Sequence, residues 1–265
     1  MSAPPRPFEV ICEVEPPTRP DLTHVRHQIG VLSRIATSFL IPDNHIGRAT
    51  VSSIAVANEV QAMGGRSIAC LNARDRNLLG FRRDLLTAAA YGVDQFLLVH
   101  GDKPSAGDRT GELTVRAMID EARAATDHPS FDGIAPFQLG VTAGHHRPMP
   151  SWKQTADFVF LQVSYSTDAV LRWRESNPTD QPVHAGVMVL ASPAMALRLR
   201  ATIPDIDIPD DLIERVTADP TAGVDAACEQ VLALRESGAV AGVHLVPVSR
   251  FREVAARLEK LLYPN

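Results

Sequence analysis

The chain has 265 residues and a formal net charge of −5, with 45% apolar and 22% charged residues. This is ordinary globular usage, enough for a sizeable core and far from the composition of a disordered chain. The acidic balance excludes the basic surface that a nucleic-acid or anionic-membrane partner needs, and no stretch approaches the roughly 18 apolar residues of a membrane span.

Cys12, Cys70 and Cys228 lie far apart with no C-x-x-C spacing, which describes neither a disulfide framework nor a zinc site. Residues 1–7 carry three prolines and no apolar run, so no signal peptide is expected and the protein reads as cytoplasmic. Taken in chain order, short β-branched runs alternate with longer amphipathic ones. A strand is expected at 8–13, a helix at 23–35, a strand at 37–41, a helix at 51–62, a strand at 67–71 and a helix at 78–91. Then come a strand at 95–100, a helix at 112–125, strands at 137–142 and 158–163, a helix at 167–174, a strand at 184–190 and a helix at 193–201. A short extra helix is expected to start at Pro209–Asp210, where proline suits the first turn. A helix at 224–236 and a strand at 240–246 complete the pattern. Gly92 and Gly238 stand where a left-handed C-cap is wanted.

Eight strands alternating with helices predict a (β/α)8 TIM barrel, one domain over 1–265. An open doubly wound sheet is the other arrangement the pattern allows. Two polar loops, 102–110 and 143–152, come after the fourth and fifth strands. Both lie on the face where barrel enzymes keep their chemistry.

The residues at and just beyond each strand end are the most informative feature. The first strand ends Glu13-Val14-Glu15-Pro16-Pro17 and the second Pro42-Asp43-Asn44-His45. The third ends Asn72-Ala73-Arg74-Asp75-Arg76-Asn77, the fourth His100-Gly101-Asp102, and the sixth carries Gln162 inside an apolar run. In a barrel these groups converge on one mouth, although loop tips are polar for solvation alone. A carboxyl or carboxamide within a strand is more telling, because its burial is costly without a task. Glu13 is therefore expected to be partly desolvated with a raised pKa, the condition for a general acid near neutral pH. The alternative is a structural carboxylate paired with Arg74 or Arg19. His145-His146 and the pair His24 and His27 lack a third ligand, so no metal site is expected. Without G-x-G-x-x-G, a nicotinamide or flavin would bind in the barrel mouth. Cys12 and Cys70, within strand runs, read as small core residues.

The segment Cys12-Glu13-Val14-Glu15-Pro16-Pro17 resembles the E-x-x-P-P signature of methylenetetrahydrofolate reductases. Asp43-Asn44, Arg74-Asp75-Arg76-Asn77 and Asp84-Leu85-Leu86 look like the DN, RDRN and DLL series of one branch of that family. His100-Gly101-Asp102-Lys103-Pro104 resembles its R-G-D-x-P loop, and Lys153, Gln162 and Gly242-Val243-His244 fall in the right order. The resemblance implies reduction of 5,10-methylenetetrahydrofolate to 5-methyltetrahydrofolate, a step of one-carbon metabolism toward methionine. It implies Glu13 as general acid, Asp102 as the charge beside the developing cation, and Gln162, Asn72 and Asp43 as substrate-binding residues.

FAD is the cofactor the resemblance implies, and its positions map to His100, Lys153, Cys70 and Arg74. Several are changed here. His100 stands where an arginine is usual, Cys70 aligns with a histidine, a threonine falls at Ile41–Pro42, and Gly144-His145-His146-Arg147-Pro148 replaces the usual loop. These departures favour direct hydride transfer from NADH or NADPH. Arg74, Arg76, Lys103 and Arg147 are candidate partners for anionic folate tails and nicotinamide phosphates. A folate-dependent methyltransferase using Asp43, Asn44 and Asn72, or a non-catalytic folate-binding barrel, are the other readings. The oligomeric state is not legible.

Overall fold

The computed structural model describes residues 7–103, 105–203 and 206–263. Its strands are β1 (Glu9–Glu13), β2 (Ser38–Ile41), β3 (Ser67–Asn72), β4 (Gln95–Val99), β5 (Gln138–Ala143), β6 (Phe158–Val163), β7 (Val183–Met188) and β8 (Gly242–Val246). They form one closed parallel barrel in sequence order, as the alternation of strands and helices predicts. Closure is by β8 on β1, with Glu9 opposite Gly242 and Ile11 opposite His244.

Strands buried on both faces read as nearly continuous apolar runs, and β3 is buried at every position. Successive side chains still alternate. Val10, Cys12, Leu71, Leu98, Val141, Leu161 and Leu245 point outward into the core beneath the helices. Ile11, Leu40, Ile68, Cys70, Leu97, Phe158 and Phe160 fill the lumen. Gly140 makes room there, since a Cβ on it would lie 1.9 Å from the Phe158 ring. The interior is therefore a packed core rather than a pore.

The helices are α1 (Thr23–Leu32), α2 (Ser53–Ala62), α3 (Leu78–Ala90), α4 (Val115–Thr126), α5 (Thr167–Ser176), α6 (Pro193–Thr202), α7 (Asp210–Ala218), α8 (Ala222–Ser237) and α9 (Phe251–Leu262). Asn77, Thr114, Ser166 and Ser192 cap α3, α4, α5 and α6 by accepting a backbone N–H with their side chains. The Thr114 cap explains why α4 starts later than expected; Glu112 stays in the loop and accepts from Leu78 N at 3.2 Å. Gly92 and Gly238 take positive φ after α3 and α8, as a left-handed cap requires. Pro209 directly precedes α7. Helix α9 lies outside the elements expected from sequence, although its buried stripe of Phe251, Val254, Ala255, Leu258 and Leu262 has helical spacing.

Two departures from a regular barrel frame the mouth. Between β5 and β6 the described residues form no α-helix. A 3-10 turn at Ser151–Thr155 crosses instead, and Met149 and Trp152 cover the core there. After β7, helices α6 and α7 build a satellite core of Leu190, Met195, Ala196, Ile208, Leu212, Val216 and Ala222. Among the described residues no helix is long and apolar enough to cross a membrane.

Candidate functional site

Glu13 is the last residue of β1 and shares the inward parity of Ile11, so its carboxyl enters the lumen at the C-terminal mouth. Its Oε2 lies 3.0 Å from Nε2 of His244, with side-chain exposures of 16% and 12%. The contact is close in distance but not aligned as a hydrogen bond, leaving the His244 Nε2 without a hydrogen-bond partner. Phe160 backs the imidazole, ring centroids 5.4 Å apart. The partner is thus His244, not Arg74 or Arg19, the pairing that the alternative reading of the sequence allowed. Barrel closure sets β8 beside β1, whereas Arg74 is engaged elsewhere and Arg19 is exposed.

The loops after β2, β3 and β4 are welded into one polar network. Asp43, its side chain 5% exposed, accepts from the backbone and side-chain N–H groups of Asn72 and pairs with Arg76. Arg76 also holds Asp84 at 2.8 Å. Arg74 is 3% exposed. Its Nε and Nη2 take both oxygens of Asp75, and its Nη1 donates to the Asp102 carbonyl at 2.7 Å. Asp75 in turn accepts from Asn44 Nδ2 at 2.9 Å. The Arg74 hydrogen bonds hold the Asp75 carboxyl down at about 2. Asn72 is fully buried, and its Oδ1 accepts from Asp75 N at 2.9 Å.

The structure therefore sorts the expected site residues into two groups. Asn72, Asp43, Arg74 and Arg76 spend their polar atoms inside the protein and shape the mouth rather than line it openly. Asp102 and Gln162 are exposed at the same end as Glu13. One Asp102 oxygen accepts from Ile46 N at 3.1 Å. Gln162 sits at a register irregularity of β6 against β7, and Gly186 lets that bulged backbone approach, since a Cβ there would meet Val163 N at 2.7 Å. The Gln162 carbonyl meets His145 Nε2 at 2.7 Å. Burial lowers the pKa of that histidine, partly offset by this bond.

The positions expected to serve a flavin are also occupied. His100 meets Arg109 Nη1 at 2.8 Å. Half-buried Lys153 donates to the Thr142 carbonyl at 2.6 Å, and its pKa is lowered by burial. Cys70 packs in the lumen, where burial, then Glu13 and Asp43, push its thiol well above the ordinary range. Lys103 and Arg147 remain exposed. His24 and His27 lie on α1 against Phe251, and among the described residues no group of three or more potential metal ligands exists.

His244 is the residue that sequence reasoning left without a role. Its signal was the same as that of Glu13, a polar inward-parity residue inside an apolar strand. A cavity of about 510 Å³ opens at the opposite, N-terminal end, lined by Glu9, Ser38, Arg66, Gln95, Gln138 and His184 among others. The chemistry of parallel barrels resides at the strand C-termini instead.

Residues 152–261 match the family model for methylenetetrahydrofolate reductase. No curated protein sequence matches the chain. Among solved structures, an uncharacterized protein from Clostridium thermocellum that binds two copies of 5-methyl-5,6,7,8-tetrahydrofolic acid superposes with a TM-score of 0.65 at 14% identity, covering 96% of each chain. An EDTA monooxygenase from Chelativorans sp. BNC1 gives 0.59 at 8% identity, over 97% of this chain and 93% of that one. A tryptophan synthase α-subunit mutant from Pyrococcus furiosus gives 0.53 at 15% identity, over 95% of each. At these identities the structures show the barrel fold alone. The family match runs from just before β6 to the end of α9, so the last part of this barrel is similar in sequence to methylenetetrahydrofolate reductase.

Proposed function

We propose that this chain reduces 5,10-methylenetetrahydrofolate to 5-methyltetrahydrofolate, taking hydride directly from NADH or NADPH. The observation that carries the reading is the Glu13 carboxyl at the mouth, 3.0 Å from His244. Opening the five-membered ring of the substrate requires a proton on the arylamine nitrogen as its bond to the bridging carbon breaks. Glu13 donates that proton, and the electron pair of the other nitrogen forms an iminium with the bridging carbon. Hydride from the dihydronicotinamide then adds to that carbon, so one hydride and one proton are consumed and a methyl group and the oxidised nicotinamide result. His244 is placed to return a proton to Glu13 between turnovers. Asp102 supplies negative charge for the cation as it develops, and Gln162 offers an amide to orient the pteridine. The folate bound by the Clostridium thermocellum protein is the product of this reaction, which supports a folate as the ligand here.

FAD is the relay that the family implies. A flavin diphosphate needs free cations or N–H donors. Arg74 is buried on Asp75, His100 is held by Arg109, Lys153 is on a carbonyl and Cys70 is in the lumen. These residues do not fit that group. The misfit supports direct transfer, because two planar reactants stacked in one mouth gain their rate from proximity.

The test is a spectrum of the purified protein followed by reduced-nicotinamide oxidation with methylenetetrahydrofolate. Folate-dependent oxidation without a flavin band is expected. A bound flavin overturns direct transfer, and absence of oxidation overturns the reductase reading in favour of a methyltransferase or a binding barrel.

A further inference from the structure

Two residues at the mouth hold a backbone conformation that their side chains disfavour. Ile46 has φ 55° and Val248 φ 52°; Asn44 is the other non-glycine residue with positive φ among those described. A β-branched residue in the left-handed region is an outlier, because its Cβ crowds the backbone. Both side chains are also exposed, at 59% and 37%, so burial within the fold does not compensate them. Such conformations persist only where the surroundings over-determine them, and they cluster at functional sites.

The surroundings here do so. Ile46 N donates to Asp102, Gly47 N donates to the Asn44 carbonyl at 3.0 Å, and Ser105 donates to the Gly47 carbonyl through both N and Oγ. Arg250 N closes the Val248 turn on the Pro247 carbonyl at 2.9 Å. Ile46 comes after β2 and Val248 after β8, the two strands that flank β1. The strained apolar residues thus stand on either side of the strand that ends in Glu13.

We propose that Ile46 and Val248 are the two lips of the substrate site, specificity-determining residues whose aliphatic side chains grip a flat heteroaromatic ring over Glu13. This rests on the folate reading and extends it by naming what recognises the ring faces. The bound ring covers hydrophobic surface that the fold itself leaves in water. The Ile46 turn is anchored on Asp102, so the position of the ring and that of the stabilising charge are set by one device.

The experiment compares Ile46→Gly, Val248→Gly, Ile46→Asn and Val248→Asn with Glu13→Gln and wild type. Glycine and asparagine both accept positive φ. Each lip variant is expected to melt at or above the wild-type temperature and to raise KM for methylenetetrahydrofolate roughly tenfold, the worth of one partly buried aliphatic side chain. The effect on kcat is expected to be smaller than that on KM. An unchanged KM in all four, with Glu13→Gln inactive, overturns the lips and leaves the folate reading standing. A lower melting temperature in the glycine variants overturns the strain on which the proposal depends. Wild-type protein without folate-dependent turnover overturns the folate reading itself.

Discussion

Strand β1 carries a glutamate at each end, and each meets a histidine. At the N-terminal face Glu9 accepts from His184 Nε2 at 2.7 Å, and the pair borders the 510 Å³ cavity. At the C-terminal face Glu13 and His244 stand 3.0 Å apart in a mouth whose neighbouring loops are cross-braced by Asp43, Asn72, Arg74, Asp75 and Arg76. The residue pair is the same, and the first end has a cavity beside it. Among the described residues the second end combines braced loops, the positive-φ Ile46 and Val248, and the exposed Asp102 and Gln162. The difference teaches that a polar pair in a cavity does not make a site; rigid surroundings that hold it in one pose do.

The sharpest way to break the comparison is to neutralise the two glutamates separately. Glu13→Gln is expected to lower kcat by about 10²–10⁴ while the protein stays folded. Glu9→Gln is expected to leave kcat as in wild type, read in the same nicotinamide-oxidation assay; equal losses would erase the distinction between the two ends. Arg76→Leu tests the bracing. It leaves Asp43 and Asp84 without their shared guanidinium, and a loss of about 3–5 kcal/mol in urea unfolding is expected.

Asp75→Asn is a smaller and pH-dependent probe. The Asp75 pKa is lowered from 3.8 to about 2 in the folded protein. A depressed carboxyl contributes stability above its unfolded pKa and loses it as pH falls through the folded one. The variant should therefore be less stable by about 1–2 kcal/mol at neutral pH, after allowance for solvent screening. That deficit should shrink below pH 4 and close near pH 2, as thermal melts across that range would show. The smallest expected effect is the stability change in Glu9→Gln, about 1 kcal/mol for one hydrogen bond.

Much of the barrel was legible because its strands are short, apolar and evenly interrupted. Glu13, Asp102 and Gln162 were readable as polar groups at strand ends, and the structure places all three on one face. The His244 partnership was not, because it depends on closure between the first and last strands, which lie far apart in the chain. Arg74 and Arg76 were misleading for a related reason. Arginines in a loop read as solvated cations, yet these two alternate with carboxylates that draw them inward. Local sequence shows which groups are charged, whereas their exposure is decided by which loops pack together.

Phe160 lies between the two ends, its ring 5.2 Å from that of His184 and 5.4 Å from that of His244. With Ile11, Leu40, Cys70 and Leu97 it forms an apolar diaphragm across the barrel. Hydrocarbon conducts neither water nor protons, so two acids on one five-residue strand face separate baths. Evolution can retune the acidity of one end without disturbing the other.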